Sequence, residues 1–209
     1  MNEIIMRKPT QTNAQSNASI SSLIRGTRCK RTAQEVMAAR VRYWLPEAQE
    51  FNINRMIRRY AYIAKHLPAF IATAVLKSIT NCWCTSSRFH DGGSPCRVCG
   101  EDGKDDLRHY INCKAIRSIL HTILPKLVAQ WGDDISNIEG FMLMGRMRRV
   151  EQLLGIAIAH DLVLCTINTL RTRGQATNLL QTEQLMRARA RQQAVRDVRA
   201  RKVFQQLAN

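Results

Sequence analysis

The chain has 209 residues, 45% of them hydrophobic, with 32 Lys plus Arg against 16 Asp plus Glu and a net charge of +16. That length holds one domain with tails or two small ones, and the apolar share can build a core. So basic a surface attracts polyanions, nucleic acid or anionic membrane, and says little about fold.

Residues 1–32 are rich in Ser, Thr, Asn and Gln and carry Arg7, Lys8, Arg25, Arg28, Lys30 and Arg31 against Glu3 alone. This composition predicts a basic disordered arm. A mitochondrial transit peptide has similar composition, so a mitochondrial destination stays open. The first twenty residues have no apolar central run, so no secretory signal is expected. Clustered cysteines in such a chain indicate metal or free thiols, in a reducing intracellular compartment, nuclear or cytoplasmic.

From Thr32 the pattern turns helical. Thr32 with Glu35 fits a capping box before "AQEVMAARVRYWL", and Pro46 stops that helix. "NINRMIRRYAYIAKHL" places Ile53, Ile57, Tyr60 and Ala64 at helical spacing. Pro68 opens "AFIATAVLKSITNCW", and "TSSRFHDGGSP" reads as a loop. One long helix is expected over "DDLRHYINCKAIRSILHTILPKLVAQW", kinked or split at Pro125. "GDDISNIEGFMLMG" connects to the apolar "RRVEQLLGIAIAHDLVLCTINTLRTRG", ended by Gly174, and a basic helix closes the chain. The two most apolar helices are interrupted, one by Lys77 and one by His160 and Asp161, and short of the roughly 18 residues of a membrane span, so both are expected to be buried and no membrane partner is expected. The expected fold is mainly α: an arm 1–32, a helical region 33–93, a CCHC-type zinc finger 94–115, a helical region 116–174 and a basic helix 175–209.

Cys96, Cys99, His109 and Cys113 follow the spacing C-x2-C-x9-H-x3-C. Two cysteines on a tight turn aim their thiolates at one centre, and Gly100 lets the chain turn away. Asp105 or Asp106 can cap the following helix, where His109 and Cys113 would share a face one turn apart. Three thiolates and an imidazole complete a tetrahedral zinc shell, which makes the metal structural rather than catalytic. Three buried free thiols beside a surface histidine is the plain alternative. Cys82, Cys84 and His90 are possible extra ligands, but core or helix-end positions suit them better, since four ligands already saturate zinc. "PCRVC" is similar to the P-C-x-x-C of zinc deaminases, but no glutamate stands two residues after His66 or His90 to serve as their proton shuttle. Gly132-Asp133-Asp134 reads as a turn with a capping Asp, and His160-Asp161 as hydrogen-bonded core residues. No catalytic residue is expected.

Two arginine clusters are candidates for nucleic-acid contact. The first is Arg55, Arg58 and Arg59. The second is Arg187, Arg189, Arg191, Arg196, Arg199, Arg201 and Lys202, with Glu183 and Asp197 the only acids nearby. Guanidinium forks suit phosphate oxygens, although a solvated polar face has the same composition. Aromatic residues are only 6%, so an extensive base-stacking platform is not expected.

The stretch from "AVLKSITNCWC" to "DLRHYINCKAI" resembles the C-terminal zinc-finger region, downstream of the polymerase domain, in reverse transcriptases of non-LTR retrotransposons. Trp83, Cys84, Thr85, Arg88, Phe89, Cys96, Cys99, His109, Tyr110 and Cys113 carry the match. The helix "LLGIAIAHDLVLCTINTLR" looks like the one that follows that finger. The likeness covers about residues 70–172. The family's polymerase and endonuclease parts are missing from it. The resemblance therefore implies a fragment that holds template RNA or target DNA beside a polymerase active site supplied elsewhere. A basic RNA-bound subunit of a ribonucleoprotein such as an organellar ribosome, and a retroelement remnant without function, are the alternatives.

Overall fold

The first helix, α1 (Ala33–Trp44), opens on a capping box. The Thr32 amide donates to Glu35 Oε2 at 2.6 Å and the Glu35 amide to Thr32 Oγ1 at 3.2 Å. The computed structural model describes residues 32–86, 94–103, 105–127, 138–147, 149–173 and 178–208. The expectations for the arm 1–31, and for Arg88, Phe89, His90, Asp133, Asp134 and Gly174, lie outside these residues. The chain divides into two compact units, Met1–Val36 and Met37–Asn209. Apart from the first turn of α1, the described helices and the cysteine segment 94–115 belong to the second. The described residues are mainly helical and include no strand.

Helix α2 (Glu50–His66) buries Ile53, Met56, Ile57 and Ile63, with Tyr60 packed against them. Ala64, expected on this stripe, is exposed; Met56 and Ile63 fill the inward face instead. Pro68 caps α3 (Ala69–Ile79), where its missing N–H costs nothing.

The single helix expected from Asp105 onward is broken in two, α4 (Leu107–Asn112) and α5 (Lys114–Ile123). Cys113 stands between them with extended backbone, φ −62 and ψ 116. It ends one helix and starts the next, so it does not share a helical face with His109. Helix α5 stops at Leu124, just before Pro125, which cannot continue it.

After the short α6 (Ile138–Phe141) the chain turns sharply, with Leu143 in the left-handed region at φ 63. That turn exposes carbonyls to α2, and the α2 arginines satisfy them. Arg55 Nη1 donates to Met144 O at 2.9 Å, and Arg59 Nη1 to Leu143 O and Gly145 O, each at 2.6 Å. Arg55 and Arg59 thus hold the turn, and only Arg58 of that trio is exposed.

At the centre lies α7 (Val150–Arg173), which packs against α2, α3, α8 (Leu179–Arg196) and α9 (Val198–Ala208). By length and composition its stretch Val150–Thr172 could cross a membrane, but 78% of its apolar window is buried inside the protein. Gly155 lets neighbours come close: a Cβ there would stand 2.5 Å from Leu127 Cδ1 and 2.7 Å from Leu207 Cδ1.

His160 and Asp161 sit mid-helix and point to different partners. His160 Nε2 lies 2.8 Å from the carbonyl of Phe141, which can only accept, so Nε2 carries the proton. Nδ1 then accepts from the Ser78 hydroxyl at 2.7 Å, and Ser78 Oγ accepts from Trp83 Nε1 at 2.9 Å. Asp161 accepts both forks of Arg189, at 2.7 and 2.9 Å, and the amide of Gln193. Arg189 is thereby paired with a buried acid from another helix, which the sequence neighbourhood of α8 does not contain.

The expected single C-terminal helix is also two. Asp197, with φ −142, separates α8 from α9, and its carboxylate accepts the Ala200 amide at 2.8 Å. The bend turns Ala200, Val203, Phe204 and Leu207 back onto the core.

Two outcomes follow from the buried pair and the buried imidazole. Asp161→Ala leaves the largely enclosed Arg189 uncompensated and should cost about 3–5 kcal/mol in urea unfolding, whereas Asp161→Leu with Arg189→Met should cost far less. Burial holds the His160 imidazole down at about 4 from the usual 6.5, against the opposing pull of the Phe141 carbonyl. Between those values the unfolded chain takes a proton that the folded one refuses, so stability falls as pH falls from about 6.5 to about 4. The slope reaches at most roughly 1.4 kcal/mol per pH unit. His160→Gln removes this dependence, so the gap between wild type and variant should narrow on acidification; a constant gap would refute the assignment.

Candidate metal centre

The segment 94–113 has little apolar content of its own, so its shape comes from local polar contacts. Cys96 starts a tight turn in which the amides of Val98 and Cys99 both point at Cys96 Sγ, each at 3.4 Å. The Gly100 amide donates to Cys96 O at 3.0 Å and the Cys96 amide to Glu101 O at 2.9 Å. Gly100 closes the turn at φ 77, and Gly103 makes a second turn at φ 65, backbone positions that suit glycine. Of the two candidate caps for α4, Asp106 is the one used: its Oδ1 accepts the His109 amide at 2.6 Å.

These turns bring the four predicted residues together. Cys96 Sγ, Cys99 Sγ, a ring nitrogen of His109 and Cys113 Sγ all lie within 4.8 Å of one another, a set that can bind a metal ion. Cys99 Sγ stands 3.2 Å from His109 Nε2, so that nitrogen faces the centre. Cys96 and Cys113 are buried, His109 is half-buried and Cys99 is exposed. The centre therefore lies where the core meets solvent. Sequence spacing located all four donors but misplaced the last: Cys113 reaches the centre because the helix breaks there, not because it continues.

That break has an electrostatic effect. Cys113 caps the start of α5, and its thiol is pushed down by the hydrogen bond from the Cys96 thiol and then, against burial, by the amides of Ile116 and Ala115. The same contact pushes Cys96 up. A metal ion at this centre would displace the thiol protons and stabilise both sulfurs as thiolates. The outer nitrogen of His109, Nδ1, lies 3.8 Å from Glu101 Oε2. This is too long for a direct hydrogen bond, yet it sets a carboxylate beside the ring on the side away from the centre, as around many metal-binding histidines.

Comparison with protein-family models, with curated proteins and with solved structures finds no match.

A buried carboxylate that the sequence reading treated only as a possible cap ties this segment to the core. Asp105 Oδ1 accepts the Tyr110 hydroxyl at 2.6 Å, and Oδ2 accepts the Ser86 amide at 2.8 Å and the guanidinium of Arg171 in α7. Tyr110 Oη in turn accepts the Arg97 amide at 3.2 Å, inside the cysteine turn. Burial alone would raise the Asp105 carboxyl, but the Tyr110 hydroxyl, the Ser86 amide and the Arg171 charge together hold it below the usual range. No motif could have revealed this, because Ser86, Asp105 and Arg171 are far apart in the chain.

Cys82 and Cys84 stay outside the cluster. Cys82 sits at the end of α3, donating to Thr80 O at 3.6 Å, and Cys84 is exposed. Cys165 is half-buried on α7 and donates to Asp161 Oδ1 at 3.5 Å. In α8 and α9, Arg187 pairs with Glu183 on its own helix, Arg201 donates to Ala194 O and Arg199 to His66 O. Arg191, Arg196 and Lys202 are exposed.

Protein prepared under reducing conditions should bind one equivalent of cobalt, with the visible and charge-transfer bands of a tetrahedral site with three thiolates and one imidazole. Cys99→Ser should remove a thiolate from that spectrum, and chelation should raise amide exchange across 94–115 while the α7 core stays protected. Cobalt that fails to bind, or bands unchanged in Cys99→Ser, would exclude this centre.

Proposed function

We propose that this chain is a nucleic-acid-binding module whose cysteine segment is held by a structural zinc ion. Cys96, Cys99, His109 and Cys113 supply four donors, which fills a tetrahedral shell and leaves no position for substrate. The zinc would maintain shape: it neutralises the Cys96 and Cys113 sulfurs and fixes the turn that Tyr110 and Asp105 dock onto α7.

The observation that carries the nucleic-acid reading is how the bases are shared out. Arg55, Arg59 and Arg189 are spent inside the protein on carbonyls and on Asp161. The exposed faces of α8 and α9 still carry Arg191, Arg196, Arg199, Arg201 and Lys202, and none of these meets a carboxylate among the described residues. Asp197 is the only acid between residues 184 and 208, and it is occupied as a helix cap. A surface of this kind binds polyanions by displacing their counterions. Relationship to the reverse transcriptases of non-LTR retrotransposons remains part of this proposal. It is supported by the order of Trp83, Cys96, Cys99, His109, Tyr110 and Cys113, residues that lie in one local structure.

Oligonucleotide binding should weaken steeply with salt. Replacing Arg191, Arg196 and Lys202 together by Gln should flatten the log–log slope by about two, given roughly 0.7 to 0.9 per phosphate contact. No binding to any oligonucleotide at low salt would remove the proposal.

A further inference from the structure

Where α5, α8 and α9 meet there is a hollow of about 220 Å³, lined by Ile123, Arg187, Ala190, Arg191, Ala194 and Phe204. Four of these residues, 187, 190, 191 and 194, follow the i, i+3, i+4, i+7 spacing, so they form one stripe along α8. The two alanines create the depression. Ile123 from the end of α5 and Phe204 from α9 complete its apolar lining, and two guanidinium groups stand with them. Arg191 has no carboxylate partner among the described residues, while Arg187 shares its charge with Glu183.

We infer that this hollow takes a single unpaired nucleobase, with the flanking phosphates on Arg191 and Arg187, so that the α8–α9 surface selects single-stranded nucleic acid. This rests on the nucleic-acid reading above and refines it. An apolar recess with a positive lining matches a ligand that has a flat apolar face and an anionic backbone on either side. The volume is below the roughly 300 Å³ at which pockets for drug-sized ligands begin, which suits one ring system. Duplex nucleic acid keeps its bases stacked and offers none to insert, whereas single strands are bound by placing bases on aromatic and guanidinium planes. The helices that form the hollow also carry the exposed bases Arg196, Arg199, Arg201 and Lys202.

The test is fluorescence anisotropy with three labelled probes: a single strand of about 12 nucleotides, within the span a small domain covers, the same strand with abasic sites, and a duplex of equal length. The intact single strand should bind about tenfold or more tightly than the abasic strand, with the same salt slope, and more tightly than the duplex. Ala194→Leu, which fills the hollow, should erase the difference between intact and abasic strands and leave the salt slope unchanged. Arg191→Gln should lower the slope by about 0.7. Should Ala194→Leu misfold, the comparison of intact and abasic strands on the wild-type protein decides alone. Equal affinity for those two strands, or a preference for duplex, overturns the inference and leaves the nucleic-acid reading standing. Failure to bind any probe, including a result in which only anionic vesicles are bound, overturns both.

Discussion

The arrangement of this protein depends on one constraint: α7 is buried almost all round, and three of its ionisable side chains, His160, Asp161 and Arg171, take their partners from other parts of the protein. An unpaired buried polar group costs more than a hydrogen bond contributes, so such groups act as pins that admit few arrangements. Each of the pins on α7 faces a different neighbour. His160 joins Ser78 of α3 to the carbonyl of Phe141 at the end of α6. Asp161 holds α8 through Arg189 and Gln193, and Arg171 holds the cysteine segment through Asp105. Apolar packing alone would let these elements slide; the pins set their register.

The cysteine segment shows why a small unit needs such help. It has too few apolar residues for a core of its own, and its inward side chains, Leu107, Tyr110 and Ile111, join the common core instead. Two devices hold it there. The cluster of three sulfurs and one imidazole gathers its two ends, and the Asp105 carboxylate docks it between the Ser86 amide and α7. They meet at Tyr110, whose hydroxyl touches both Asp105 and the amide of Arg97 in the cysteine turn. A change at the cluster is thus felt at α7 through one phenol.

Arginine has two roles here, and sequence clustering does not distinguish them. Arg55 and Arg59 look like half of a phosphate-binding group, yet they neutralise carbonyls left open by the left-handed turn at Leu143. Arg189 lies among solvent-facing arginines on α8 but turns inward, because position 189 falls beside Met186, Ala190 and Gln193 on the side facing α7. What remains outside is a narrower, acid-poor surface than the composition suggested, and that surface is the one proposed to meet nucleic acid.

Local chemistry wrote much of this into the sequence. The helical class, the Thr32–Glu35 capping box, the start of α3 at Pro68 and an aspartate cap for α4 depend on residues within about a turn or two of each other, and the four donors on a ligand spacing within one short segment, so spacing and side-chain type decide the outcome. The splits at Cys113 and Asp197 were not legible, because the helix propensity of their neighbours continues through both. Each break is favoured by what it allows at a distance: Cys113 reaches Cys96, and α9 returns Phe204 and Leu207 to the core. The same holds for Asp105, Arg171 and the Asp161–Arg189 pair. Sequence by itself determined which segments are helices and which side chains could bind a metal; tertiary structure alone decided which polar groups are buried, since burial depends on neighbours brought from far along the chain, and burial is what turns a surface charge into a structural pin.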